Sequence, residues 1–207
     1  MISSSEIGKS IAAVLAMAQG KEDWAGKLDL SVDGVFRSFW AMVLSLPLMV
    51  LVAETGRRLS LAAGSEDDRL AYPVWLFTLQ ETLVRLMVWP AMLAILVTIA
   101  ARSGAGWRVT PLIIAQNYAS LLTYIVMGLA LGLIVMADAV AYANIAIIVV
   151  AAFSIWLDWG ILRRPLQLDV TSAALLLILL WVSGDIIAAV LSSLLGVPLR
   201  ALAGIGA

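Results

Sequence analysis

The chain has 207 residues, of which 63% are hydrophobic and 13% charged, with a formal net charge of -1. Soluble domains carry about 25% charged residues, and a soluble fold of this length has too little interior to hide so much apolar surface. The near-neutral charge, with basic residues scattered singly or in pairs, argues against nucleic acid as a partner. Cysteine and histidine are both absent. This removes thiolate and His-ligated metal or haem sites and the Ser-His-Asp and Cys-His catalytic sets, so no metal, cofactor or catalytic residue is assigned.

The first 34 residues read as a cytoplasmic interfacial arm. Ser3 and Glu6 have the spacing of a capping box, and Ile7, Ile11, Val14, Leu15 and Ala18 form an apolar stripe that Gly20 can end. This predicts a short amphipathic helix on the cytoplasmic face. The competing reading is a signal peptide, with Lys9 before an apolar run and Ala16-Met17-Ala18 as a small-residue cleavage site. Glu6 offsets the basic charge and the run is poor in leucine, which favours the helix. A polar connection follows from Asp23 to Asp33, with Asp33-Gly34 as a turn.

Residues 35–207 form the membrane domain. Five apolar stretches, roughly Val35 to Ala53, Tyr72 to Ala101, Pro111 to Met136, Ala139 to Leu162 and Val170 to Leu195, approach or exceed the ~20 residues that cross about 30 Å of hydrocarbon as a helix. The predicted fold class is therefore all-α, a polytopic transmembrane helical bundle of about five spans with an N-terminal amphipathic interfacial helix. Pro47 in span one and Pro90 in span two each remove a backbone hydrogen bond, which kinks a helix or is absorbed by packing. Glu54 to Ala71 is the longest polar loop. The link of about two residues at Ala137-Asp138 makes spans three and four antiparallel neighbours.

Orientation follows from Lys and Arg. One side holds Lys9, Lys21, Lys27, Arg37, Arg102, Arg108, Arg163 and Arg164; the other holds Arg57, Arg58, Arg69 and Arg200. The N-terminus is expected in the cytoplasm and the C-terminus outside. Trp40, Trp107, Trp156 and Trp159 would lie at the inner interface and Tyr72, Trp75 and Tyr142 at the outer one, with Trp89 and Trp181 packed between helices.

Small residues mark helix contacts. Gly128 and Gly132 form a GxxxG on span three, and Gly184, Ala188 and Ser192 a small-residue stripe on span five. Internal packing is the ordinary use of such stripes, and homo-oligomerisation is the sharper alternative. Within the membrane, Glu81, Arg85 and Asp185 are the candidate polar cluster. Glu81 and Arg85 share a helix face at i, i+4, and Arg85 and Asp185 fall at similar depths, so the three could meet with a net charge of -1 and leave a carboxylate for a proton or cation. The plainer account has the outer end of a long span two projecting into the interface with Arg85 reaching for headgroups. Gln116, Asn117, Tyr118 and Thr123 add hydrogen-bonding groups on span three, of which Gln116 and Asn117 are expected to make interhelical hydrogen bonds, and Asp158, near Arg163, Arg164 and two tryptophans, reads as interfacial. Ser183-Gly184-Asp185 comes near the GxGD of intramembrane aspartyl proteases, but Val182 replaces the first glycine and no paired aspartate occurs.

The run Leu28-Asp29-Leu30-Ser31-Val32-Asp33-Gly34, then Phe36-Arg37-Ser38-Phe39-Trp40 up to Pro47, together with Gln116-Asn117-Tyr118 and the five-span layout, resembles Yip1-like bacterial inner-membrane proteins; the first part is similar to the start of alphaproteobacterial ones. The eukaryotic Asp-Leu-Tyr-Gly-Pro element is missing. The resemblance implies an inner-membrane location and a scaffold or accessory role, and transfers no site. The expected function is thus a non-catalytic scaffold or accessory subunit binding membrane partners or lipid, as a hetero-complex or homo-oligomer in the bilayer. The alternative is a small oligomeric transporter or channel using the intramembrane charges.

Overall fold

The computed structural model describes residues 3–102, 104 and 106–202. Trp107 and Arg200, both used above, have side chains outside the described set. Among the described residues there are seven α-helices: α1 (Ser4–Ala18), α2 (Val32–Ser38), α3 (Trp40–Ala62), α4 (Val74–Arg102), α5 (Val109–Met136), α6 (Ala143–Leu166) and α7 (Val170–Leu202). Five stretches of the described residues are long and apolar enough to cross a membrane, Val32–Ala62, Val74–Arg102, Val109–Met136, Val140–Leu166 and Val170–Gly196. The protein is a multi-pass membrane protein with an all-α bundle.

The helices form a ring in the order α3, α5, α6, α7, α4, with α4 closing back onto α3 and also touching α5. The GxxxG of α5 works inside this ring. A Cβ on Gly128 would lie 3.5 Å from Leu48 and 3.6 Å from Leu51, and one on Gly132 would lie 4.0 Å from Leu51, so the two glycines let α3 ride close against α5. Both Pro47 and Pro90 sit within continuous helices.

Several boundaries differ from the sequence reading. Asp33-Gly34 is not a turn but part of α2, because Ser31 caps that helix by accepting from the Gly34 amide at 3.0 Å. Glycine is required there: a Cβ would fall 2.0 Å from the Asp29 carbonyl oxygen. The expected polar loop from Glu54 is helical as far as Ala62. An i, i+4 pair between Arg58 and Glu54 (2.9 Å) supports the extra turns, and Gly64, at φ 68°, follows their end. Helical periodicity outlasts the hydrophobic run, and only the run was visible as a span.

The N-terminal helix forms where the capping signal predicts. Ser3 accepts from the Glu6 amide at 3.2 Å, and the Glu6 carboxylate, instead of closing the box, takes a bond from Arg37 Nε at 2.9 Å. Arg37 also pairs with Asp29. The most buried face of α1 is Ser10, Ala13, Val14 and Met17, packed on α5 and α6, with Ile7, Ile11, Leu15 and Ala18 flanking that contact. The apolar stripe thus docks on protein at one end of the bundle, called below the α1 end. The α3–α4 loop marks the opposite, far end.

Beneath α1, a buried polar chain ties three helices. Asn117 accepts from Trp89 Nε1 at 3.0 Å and donates to Ser38 Oγ at 2.8 Å, and Ser38 donates to the Val35 carbonyl at 2.7 Å. Trp89 also stacks on Tyr124 with centroids 6.2 Å apart. Asn117→Leu would leave the buried Trp89 indole N–H without its acceptor, at a cost of roughly 1–3 kcal/mol, and is expected to lower the thermal midpoint in detergent. Asn117→Asp, which keeps the acceptor for Trp89, should lose less. Equal midpoints for wild type and Asn117→Leu would contradict this role.

Candidate functional site

Glu81, Arg85, Gln116, Asp158 and Asp185 all line one cavity of about 530 Å³ walled by α4, α5, α6 and α7. On α4 its wall runs from Glu81 to Leu96, or about 22 Å at 1.5 Å per residue, most of the thickness of a bilayer's hydrocarbon. The space exists partly because α7 presents Gly184, Ala188 and Ser192 to it. Gly184 also lies against Met92, whose sulfur would be 3.7 Å from a Cβ. This stripe therefore forms a wall of the cavity and a contact with α4. Gln80 Nε2 donates to the Ser192 carbonyl at 2.9 Å and pins the two antiparallel helices in register near the far end.

At the far end an ion ladder descends into the cavity. Arg69, from the short 3-10 turn before α4, donates to Asp67 at 2.6 Å and to Glu81 Oε1 at 2.7 Å. Glu81 Oε2 accepts from Arg85 Nη1 at 2.8 Å. Hydrogen bonds from Arg69 hold the Asp67 carboxyl below the ordinary carboxylate range, so it is ionised at neutral pH. Asp67, Arg69, Glu81 and Arg85 together sum to zero charge.

Asp185 lines the same cavity, about midway along it, but does not pair with Arg85; among the described residues its carboxylate has no hydrogen-bond or ion-pair partner. It is exposed on the bundle surface at the cavity's open side. Of the three predicted cluster residues, then, Glu81 and Arg85 are joined directly and Asp185 lines the same cavity without pairing with either. The residue missing from the sequence reading is Arg69, which looked like one more loop cation. Its only signal was Asp67 two positions earlier, which locks the turn that aims it inward.

Toward the α1 end the lining is again polar. Asp158 accepts from Gln116 Nε2 at 3.2 Å and from Trp181 Nε1 at 3.2 Å. Asp158 is therefore inside the bundle and not at an interface with Arg163 and Arg164, because its face of α6 turns to α5 and α7. Arg163 instead lies over the Trp159 ring at 5.5 Å. Trp181 is half-exposed at the cavity edge, unlike the fully packed Trp89, and Tyr72 is buried in a small cluster with Leu76 and Phe77 instead of facing the interface. Ser154 and Thr123 hydroxyls meet at 3.4 Å between α5 and α6.

Among the described residues, no group of three His, Cys, Asp or Glu is arranged to hold a metal ion. What the arrangement can do is bind: it offers a guanidinium with open donors, an unpartnered carboxylate and an apolar wall in one space. No family model, curated protein or solved structure matches the chain, so what can be stated of it, a multi-pass membrane protein with a polar-lined cavity among four of its helices, rests on its own residues.

Proposed function

We propose that this membrane protein is a non-catalytic binding protein of the transporter class, holding a small polar or amphipathic ligand in the α4–α7 cavity. The observation that carries the reading is the unpartnered Asp185 carboxylate on the wall of a cavity whose volume falls within the range of ligand sites. A charge within a span needs a partner, water or a function, and close helix packing would otherwise have closed the space. The commitment of Glu81 to two arginines supports binding over acid-base chemistry. With the N-terminus cytoplasmic, as the positive charges favour, the ladder belongs to the periplasmic half of an inner-membrane protein.

Ala188→Trp tests the reading by filling the cavity. Wild-type protein taken from native membranes into nanodiscs should carry a bound small molecule in native mass spectrometry. The filled variant, of equal helix content, should lack it. The same bound mass on both, or none on the wild type, would overturn the reading.

The scaffold or accessory-subunit role is a second reading, favoured by α7. Among the described residues that helix packs mainly on α4 and α6, and its outward row of Leu175, Ile178, Val182, Ile186 and Val190 is exposed. The Yip1-like resemblance points the same way. A stoichiometric membrane partner retained through purification in mild detergent, and lost on Val182→Trp, is the expected result for this role. A lone chain would remove it.

A further inference from the structure

We propose that the ligand of this cavity is a zwitterion, with its ammonium on Asp185 and its anionic group on Arg85. The inference rests on the binding role argued above and deepens it.

Arg85 spends only Nη1 on Glu81, on a carboxylate oxygen at 2.8 Å and on the backbone carbonyl at 3.4 Å. Among the described residues Nε and Nη2 make no hydrogen bond, although they belong to a side chain that lines the cavity. Asp185 lines it too and is equally unsatisfied. The register of the two helices says how far apart these groups start. From the Gln80–Ser192 bond, Arg85 lies five residues further along α4 and Asp185 seven residues back along α7. These are descents of about 7.5 Å and 10 Å from the same level. The two charges therefore sit on facing helices at levels a few ångströms apart, and no ion pair closes between them.

Three simpler occupants each leave a polar group of the cavity unsatisfied. A lone cation on Asp185 leaves the guanidinium donors open, a lone anion on Arg85 leaves the carboxylate open, and an apolar molecule satisfies neither. A molecule with an ammonium and a carboxylate or phosphate on a short linker satisfies both through charge-assisted hydrogen bonds, the guanidinium taking the planar or tetrahedral oxyanion. Its apolar part has a place against Val88, Met92, Leu96 and Leu180 along the same wall. Two sources offer this chemistry: a phosphoethanolamine headgroup entering from the bilayer past the exposed Asp185, and a free apolar α-amino acid.

The test uses the full chain in nanodiscs, read by thermal midpoint and native mass. The probes are phosphatidylethanolamine, phosphatidylglycerol, free leucine, octylamine and octanoate. Phosphatidylethanolamine or leucine should raise the midpoint and appear bound, the first assigning a lipid headgroup and the second a free amino acid. Asp185→Asn should weaken the effective probe tenfold or more while leaving the unliganded midpoint near wild type, and Arg85→Gln should weaken it similarly. Binding of phosphatidylglycerol, octylamine or octanoate as tight as that of the zwitterions would overturn the zwitterion while leaving the cavity a binding site. So would zwitterion binding indifferent to Asp185→Asn. No bound mass on wild type from any probe or from native membranes would overturn both.

Discussion

Gly160→Val is expected to release α1 from the bundle. At Gly160 a Cβ would lie 2.4 Å from Ala18 Cα, 2.5 Å from Ala18 N and 2.6 Å from the Met17 carbonyl carbon. These are backbone atoms, so no side-chain rotation relieves the overlap, and α1 or α6 has to move as a body. The displaced contact includes Val14 and Met17, both essentially fully buried; losing such burial costs roughly 3 kcal/mol or more. Because the chain has no cysteine, a single Ser10→Cys reporter reads the docking directly. Ser10 is only 4% exposed, so maleimide reaches it when α1 lifts. Adding Gly160→Val should raise the labelling rate by about a hundredfold, the equivalent of that cost at 1.4 kcal/mol per decade. An unchanged rate, with helix content preserved, would mean that α1 does not depend on its seat against α6.

The second large effect belongs to Glu81, and its signature is an asymmetry. Glu81→Leu leaves Arg85 without the carboxylate it pairs with, whereas Arg69 keeps Asp67. Stranding one arginine at this depth costs about 3 kcal/mol. Arg85→Leu removes the lower rung but leaves Glu81 paired with Arg69, so its loss should be well under half as large. The double variant Glu81→Leu with Arg85→Leu should recover most of the stability lost in Glu81→Leu alone. Thermal unfolding in one detergent, run as a double-mutant cycle, gives all three values. If Arg85 merely reached for headgroups, Glu81→Leu and wild type would unfold alike and the cycle would show no coupling.

The membrane spans were legible because hydrocarbon imposes one demand on every residue of a span, and that demand accumulates over about 20 positions. Helix ends were less legible where the helix outlasts the lipid. Glu54 and Arg58 look like loop residues, yet they form a helical ion pair. Glu81 and Arg85 could be paired from their spacing alone, since both lie on one helix. Arg69 and Asp158 could not be placed, because their positions depend on how a turn folds back and on which way α6 is rotated. The glycines show the same division. Gly128 and Gly132 announced a contact through their repeat, whereas Gly160, which lets α6 meet the backbone of α1, stands alone in sequence between Trp159 and Ile161.

The seat of α1 also orders biosynthesis. Ala18 leaves the ribosome roughly 140 residues before Gly160, which at 5–20 residues per second is a delay of about 7–28 s. Throughout that interval α1 has no α6 to rest on, and its apolar face must be tolerated by the bilayer surface or by a chaperone. A helix made before all five spans is thus among the last to find its place, and its arrival reports that the fourth span has been inserted.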